Sequence, residues 1–107
     1  FCMPEGPTGP VGNLTPISIS EHQGDSVNSM LERMKQDGLA AIAARESAYT
    51  AYNDAMAKAV KNTVWATGGC DSWYIDKTGT PNLYPWMPNR YLRDMHNPDF
   101  SEYVLDR

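Results

Sequence analysis

Apolar positions keep a helical period through the first half of the chain and lose it in the second. Val27, Met30, Leu31 and Met34 recur at helical spacing and predict one helix with a buried face. Thr15 suits its N-cap, because a hydroxyl there accepts from an orphan N–H, and Pro16 at the first helical position forfeits only a donor that would be unpaired. Gly38 is the expected left-handed stop. A second helix is predicted from about Leu39 to Asn62, where alanines give high propensity and Tyr49, Tyr52, Met56 and Val60 form a stripe. Glu46 near its start and Lys58 and Lys61 near its end suit the helix dipole.

Beyond Thr63 the pattern turns to short segments. Trp65 leads into a Gly68-Gly69 turn, and Ser72 to Asp76 reads as a strand returning through Thr80 to Tyr84. Gly79 stands where a hairpin bulge needs positive φ, and Pro81 restricts the return strand to an edge. Pro85 and Pro88 bound a loop around Trp86, with Trp65 and Trp86 expected as packing aromatics. Asn89 is the expected cap of a short helix to about Met95, broken near Pro98. Asp99 with Glu102 resembles a capping box before a last helical turn. The expected fold is mainly α, with one short β-hairpin and an irregular Gly/Pro-rich N-terminal arm. Its parts are a loop at residues 1–14, two helices at 15–62, the turn and hairpin at 63–88, and short helices at 89–107.

Composition narrows the class. At 107 residues the chain is one domain at most, and its Gly/Pro-rich opening leaves little apolar surface for a core. A net charge of −4 without a basic stripe points away from nucleic acid. No run approaches the ~20 apolar residues of a membrane span. Cys2 and Cys70 form no CxxC motif and read as unpaired thiols of a cytoplasmic protein. His22 and His96 lack metal-ligand spacing and read as hydrogen-bonded helix residues. No Ser/His/Asp set, carboxylate pair or Cys/His nucleophile marks a catalytic centre or a metal site.

Two segments carry chemistry. The run Gly6-Pro7-Thr8-Gly9-Pro10-Val11-Gly12-Asn13 opens onto a helix N-terminus, where unpaired N–H groups and the positive dipole end attract an anion or an electron-rich carbonyl. The turn Gly68-Gly69-Cys70-Asp71-Ser72-Trp73-Tyr74 presents an indole with a flat face and one N–H donor. In this order, and with the continuation Leu14-Thr15-Pro16-Ile17-Ser18-Ile19-Ser20-Glu21-His22-Gln23, the chain resembles the C-terminal end of Baeyer–Villiger-type and related flavin-containing monooxygenases. Tyr84-Pro85-Trp86 extends the resemblance, whereas Ser26 stands where that family carries an aromatic residue.

The resemblance implies an α/β flavoprotein with two dinucleotide-binding domains, of which this chain would be a C-terminal fragment. FAD and NADPH would be its cofactors, and one oxygen atom of O₂ would enter a small organic substrate by Baeyer–Villiger or heteroatom oxygenation. It assigns flavin-facing backbone to Gly9, Gly12, Asn13, Leu14, Thr15 and Ile17, with Thr15 and Ile17 the favoured donors, and an NADP-contacting role to Trp73. Ser72 and Tyr74 would support the loop that closes over NADP and keeps water from the flavin. Both GxGxxG fingerprints and the family's catalytic arginine would lie outside the chain, so Arg33, Arg45, Arg90 and Arg93 take no such role. The absence of an initiator Met before Phe1 fits a fragment, whose partners would be the missing N-terminal dinucleotide-binding domains. The isolated fragment is expected to lack activity, to bind FAD weakly or not at all, and to self-associate. The rival expectation is a small helical interaction module whose tyrosine stripe faces a partner.

Overall fold

A computed structural model describes residues 8–69 and 71–107; Cys2, Gly6, Pro7 and Cys70 lie outside the described residues. The order is α1 Pro16–Asp37, β1 Ala41–Ala44, α2 Glu46–Val60, α3 Val64–Thr67, α4 Pro88–His96, a 3-10 turn Phe100–Glu102 and β2 Tyr103–Asp106. The chain is mainly helical, with one two-stranded antiparallel sheet.

Helix α1 begins as its sequence dictates. Thr15 is the N-cap, its Oγ1 accepting from Ser18 N–H at 3.2 Å, and Pro16 occupies the first turn. Gly38 ends the helix at φ 63°, and both its N–H and that of Leu39 donate to the Met34 carbonyl. The packed side differs from expectation. Ile19 and Ser26 are the buried residues of α1, whereas Leu31 is exposed and Val27, Met30 and Met34 are half-buried. The reason is the position of α4, which packs against α1. Ile19 joins Tyr84 and Tyr91 in the core, flanked by Leu14, Trp86, Leu92 and Met95.

The second helix starts later than its alanines suggest. Ala41–Ala44 is a strand paired with β2, in the register Ala41↔Asp106, Ile42↔Leu105, Ala43↔Val104 and Ala44↔Tyr103. Backbone bonds flank the pairing, from Ala40 N–H to the Asp106 carbonyl and from Arg45 N–H to the Glu102 carbonyl, each at 2.8 Å. Alanine's helical preference is worth tenths of a kcal/mol per residue, and a ready ladder offered by Tyr103-Val104-Leu105 outweighs it. The last segment departs from a helical turn accordingly. Asp99 caps only one 3-10 turn through Ser101 N–H at 2.9 Å before the chain extends into β2.

The expected hairpin is reduced to a single bridge between Ile75 and Pro81 around a tight turn. Asp76 Oδ1 accepts from Thr78 N–H, Thr78 Oγ1–H and Thr80 N–H, so the carboxylate holds the turn together with the backbone bond from Asp76 N–H to the Thr80 carbonyl. Gly79 has the positive φ its position predicts, 81°. Helix α4 starts at Pro88 with Met87 at the cap, so Asn89 lies within the first turn rather than capping it. On α2, Met56 and Val60 are buried, whereas Tyr49 is 66% exposed and Tyr52 42%. Trp86 packs against the core, and Trp65 stays partly exposed.

Candidate functional site

Gly9 is buried, and its carbonyl accepts from Val11 N–H at 2.8 Å and Tyr84 N–H at 3.3 Å. The second bond ties the N-terminal loop to the end of the turn segment. The N–H groups of Asn13 and Leu14 both donate to the Pro10 carbonyl, at 3.2 and 3.3 Å. They are therefore spent within the loop. Leu14 instead anchors the loop by packing on the Ile19–Tyr84–Tyr91 cluster.

The N–H groups at the mouth of the helix are different. Among the described residues, no acceptor meets the N–H groups of Thr15 or Ile17. Gly12 has φ 90°, and a Cβ built there would meet nothing within 4 Å. The space over Gly12 is open, and the backbone there takes a conformation that suits glycine. Ile17 is 76% exposed at the first turn of α1, an unusual place for an apolar side chain on a finished surface.

Trp73 is 97% exposed, the extreme among the large apolar residues of the described chain. Its loop is nonetheless ordered from both sides. Ser72 Oγ accepts from Tyr74 N–H at 3.3 Å, and the Tyr74 carbonyl accepts from Asn82 N–H at 2.6 Å. The Asp76 turn follows directly, and its carboxyl is held below the usual carboxylate range, chiefly by the Thr78 hydroxyl and then by the Thr80 amide. Trp73 thus stands on a braced support with its ring in solvent.

The structure adds features the sequence did not single out. A cleft of about 470 Å³ opens between α2, α4 and the sheet, with Tyr49, Tyr52, Tyr84, Tyr91, Arg90 and Asp94 among its walls. Tyr84 and Tyr91 meet edge to face at 5.4 Å, Tyr84 and Trp86 at 5.3 Å, and Arg90 stacks on the Trp86 ring at 4.0 Å. Burial pushes the Tyr84 phenol up to about 12, with Tyr52 adding to the shift. Arg33, Arg45, Arg90 and Arg93 have structural partners. Arg33 pairs with Asp37, Arg45 donates to the Ser101 carbonyl, and Arg90 and Arg93 lie beside Asp94. His22 and His96, 74 residues apart, meet with Nδ1 and Nε2 at 2.9 Å. They are hydrogen-bonded helix residues as expected, and each is the other's partner, which spacing along the chain does not reveal.

Comparison with known proteins bears on the chain as a whole. Over all 107 residues the chain is 35% identical to a protein of Mycobacterium tuberculosis (strain H37Rv) described as an uncharacterized monooxygenase, covering 21% of it. It is 31% identical over 104 residues to a Baeyer–Villiger monooxygenase of Streptomyces coelicolor, which spans 95% of this chain and 20% of that one. Its relatives are monooxygenases, Baeyer–Villiger enzymes among them. An FAD-binding monooxygenase of Aspergillus terreus is similar at 28% identity over 83 residues, 77% of this chain and 15% of its own length. The chain spans about a fifth of the length of the monooxygenases it matches most fully. No protein-family model and no solved structure matches it. Among the described residues, no helix is long and apolar enough to cross a membrane.

Proposed function

We propose that the chain is the C-terminal part of an FAD- and NADPH-dependent monooxygenase that inserts one atom of O₂ into an organic substrate. One observation carries the reading beyond similarity: the N–H groups of Thr15 and Ile17 are unpaired at the start of a 22-residue helix, and Gly12 just before them leaves the approach clear of a side chain. That arrangement fits the pyrimidine edge of a flavin, which gathers negative charge on reduction. When bound, FAD supplies the redox chemistry that such an oxygenation requires.

The chain's own residues then have three tasks. The α1 N-terminus offers donors and a positive dipole end, worth about 0.3–1 kcal/mol where exposed. The loop Gly9–Leu14 fixes the position of those donors through the Gly9–Tyr84 bond and the buried side of Leu14. Trp73 supplies a stacking face for the nicotinamide nucleotide and, once covered, excludes water from the reaction.

Ile17, Val64, Trp73 and Met87 are all more than 70% exposed, which fits surfaces covered by the dinucleotide-binding domains of the whole enzyme. The test is on the natural full-length chain. With FAD bound it is expected to consume NADPH and O₂ and to oxygenate members of a panel of ketones and thioethers. Trp73→Ala is expected to raise the KM for NADPH about tenfold and to divert O₂ to hydrogen peroxide, with flavin content unchanged. A full-length chain that holds no flavin and oxidises no NADPH would overturn the reading.

A further inference from the structure

We infer that His22, Asp25 and His96 form a binding site for one divalent transition-metal ion of borderline softness, with Zn²⁺ as the representative ion. His22 and Asp25 are three residues apart on α1 and so share a face. His96 is the last residue of α4, the helix packed against α1. One ligand atom from each of the three lies within 4.8 Å of the other two. His22 is half-buried and the other two are exposed, so an ion reaches the site directly from solvent.

The separation of the imidazoles fits shared coordination. Zinc lies about 2.0–2.1 Å from each histidine nitrogen. Two such nitrogens stand about 2.9 Å apart at a right angle and about 3.4 Å apart at the tetrahedral angle. The observed 2.9 Å between His22 Nδ1 and His96 Nε2 lies at the lower end of that range, so a few tenths of an ångström of opening reaches the tetrahedral value. The two nitrogens share one hydrogen bond, in which the N–H proton of one ring is donated to the lone pair of the other. Loading moves that proton to the distal nitrogen of the same imidazole through solvent, and both rings stay neutral.

Asp25 supplies the third ligand by a rotamer change, and water completes the shell. Two imidazoles and one carboxylate favour Zn²⁺, Ni²⁺, Co²⁺ or Cu²⁺ over Mg²⁺ or Ca²⁺, which prefer oxygen. The site is pre-organised because both helices are already packed around Ile19, Tyr91 and Met95. A bound ion staples the end of α4 to α1, and through α1 to the loop that carries Gly12.

The experiment titrates the flavin-loaded full-length chain with Zn²⁺ alone by calorimetry, and with Co²⁺ followed by visible absorption. The expected result is one site of micromolar affinity, with cobalt bands of low-coordinate geometry. His22→Ala and His96→Ala are each expected to weaken it at least a hundredfold, and Asp25→Asn about tenfold. His96→Asn keeps a hydrogen-bonding partner for His22 yet is a poor ligand, so it is expected to preserve thermal stability and still lose the metal. Equal Zn²⁺ uptake by the wild type and the His22→Ala/His96→Ala double variant would overturn the inference. So would a wild-type affinity no tighter than millimolar. Neither result would bear on the monooxygenase reading, which rests on other residues.

Discussion

Gly12 is constrained by its own backbone and not by its neighbours. At φ 90° an L side chain strains the main chain, while a Cβ would meet no neighbour within 4 Å. Gly12→Ala is therefore expected to cost about 1–2 kcal/mol from backbone strain alone, read as a fall in Tm. Thr15→Ala removes the cap on Ser18 N–H and is expected to cost about 1 kcal/mol. Trp73→Ala is the contrast. With its ring almost wholly in solvent, stability is expected to stay within about 0.5 kcal/mol, so a change in NADPH affinity would report contact and not folding. Asp76 adds a pH dependence with a defined sign. Its carboxyl titrates below its ordinary 3.8 because the folded turn stabilises the charged form. Such a group stabilises the fold above the unfolded value and loses that contribution as pH falls through the folded one. The amide shifts of Thr78 and Thr80 should therefore titrate together with a midpoint below 3.8. A midpoint at or above that value would show that the hydrogen bonds do not favour the carboxylate.

At the scale of elements, what was legible in the sequence were the local devices. The Thr15-Pro16 start, the Gly38 stop and the positive φ of Gly79 each follow from the chemistry of one or two residues, and each is present. Strand β1 was not legible. Ala41-Ile42-Ala43-Ala44 reads as helix by propensity, and only its partner near the other end of the chain makes it a strand. The packed face of α1 was hidden for the same reason, since the position of α4 selects Ile19 and Ser26 over Leu31. The His22–His96 contact also depends on that helix pair. The free donors at the mouth of α1 were legible in outline, because the absence of an internal partner is a property of every helix start. That Asn13 and Leu14 are occupied by the Pro10 carbonyl was not. The sheet yields a direct test. Replacing Val104 and Leu105 by glycine is expected to abolish the exchange protection of the Ala40 and Arg45 amides, which donate to carbonyls of the opposite segment. Helix content should hold. Ile19→Ala, by contrast, removes a side chain that is 1% exposed between α1 and α4 and is expected to cost about 2–4 kcal/mol.

The whole molecule is long and thinly packed. Its extents are 50 × 29 × 20 Å and its radius of gyration is 15.3 Å, against about 13 Å for a compact chain of this length. Its accessible surface is 7713 Å², where a globular protein of 11.9 kDa shows about 6,000 Å². The excess is accompanied by exposed Ile17 on α1, Tyr49 on α2, Val64 on α3, Trp73 on the turn and Met87 at the cap of α4. A contiguous apolar surface marks a place where another molecule docks. On the proposed reading it is covered by the flavin, the nucleotide and the rest of the enzyme. Expressed as 107 residues, the chain has none of these and is expected to cover the same surface with a second copy. Sedimentation velocity over a hundredfold range of concentration should show a weight-average mass rising well above 11.9 kDa. Adding the Trp73→Ala and Ile17→Ser changes together should lower that mass at every concentration. A single sharp monomer boundary at high concentration would mean that the exposed apolar residues do not form a cohesive face, and the case for a covered surface would fail with it.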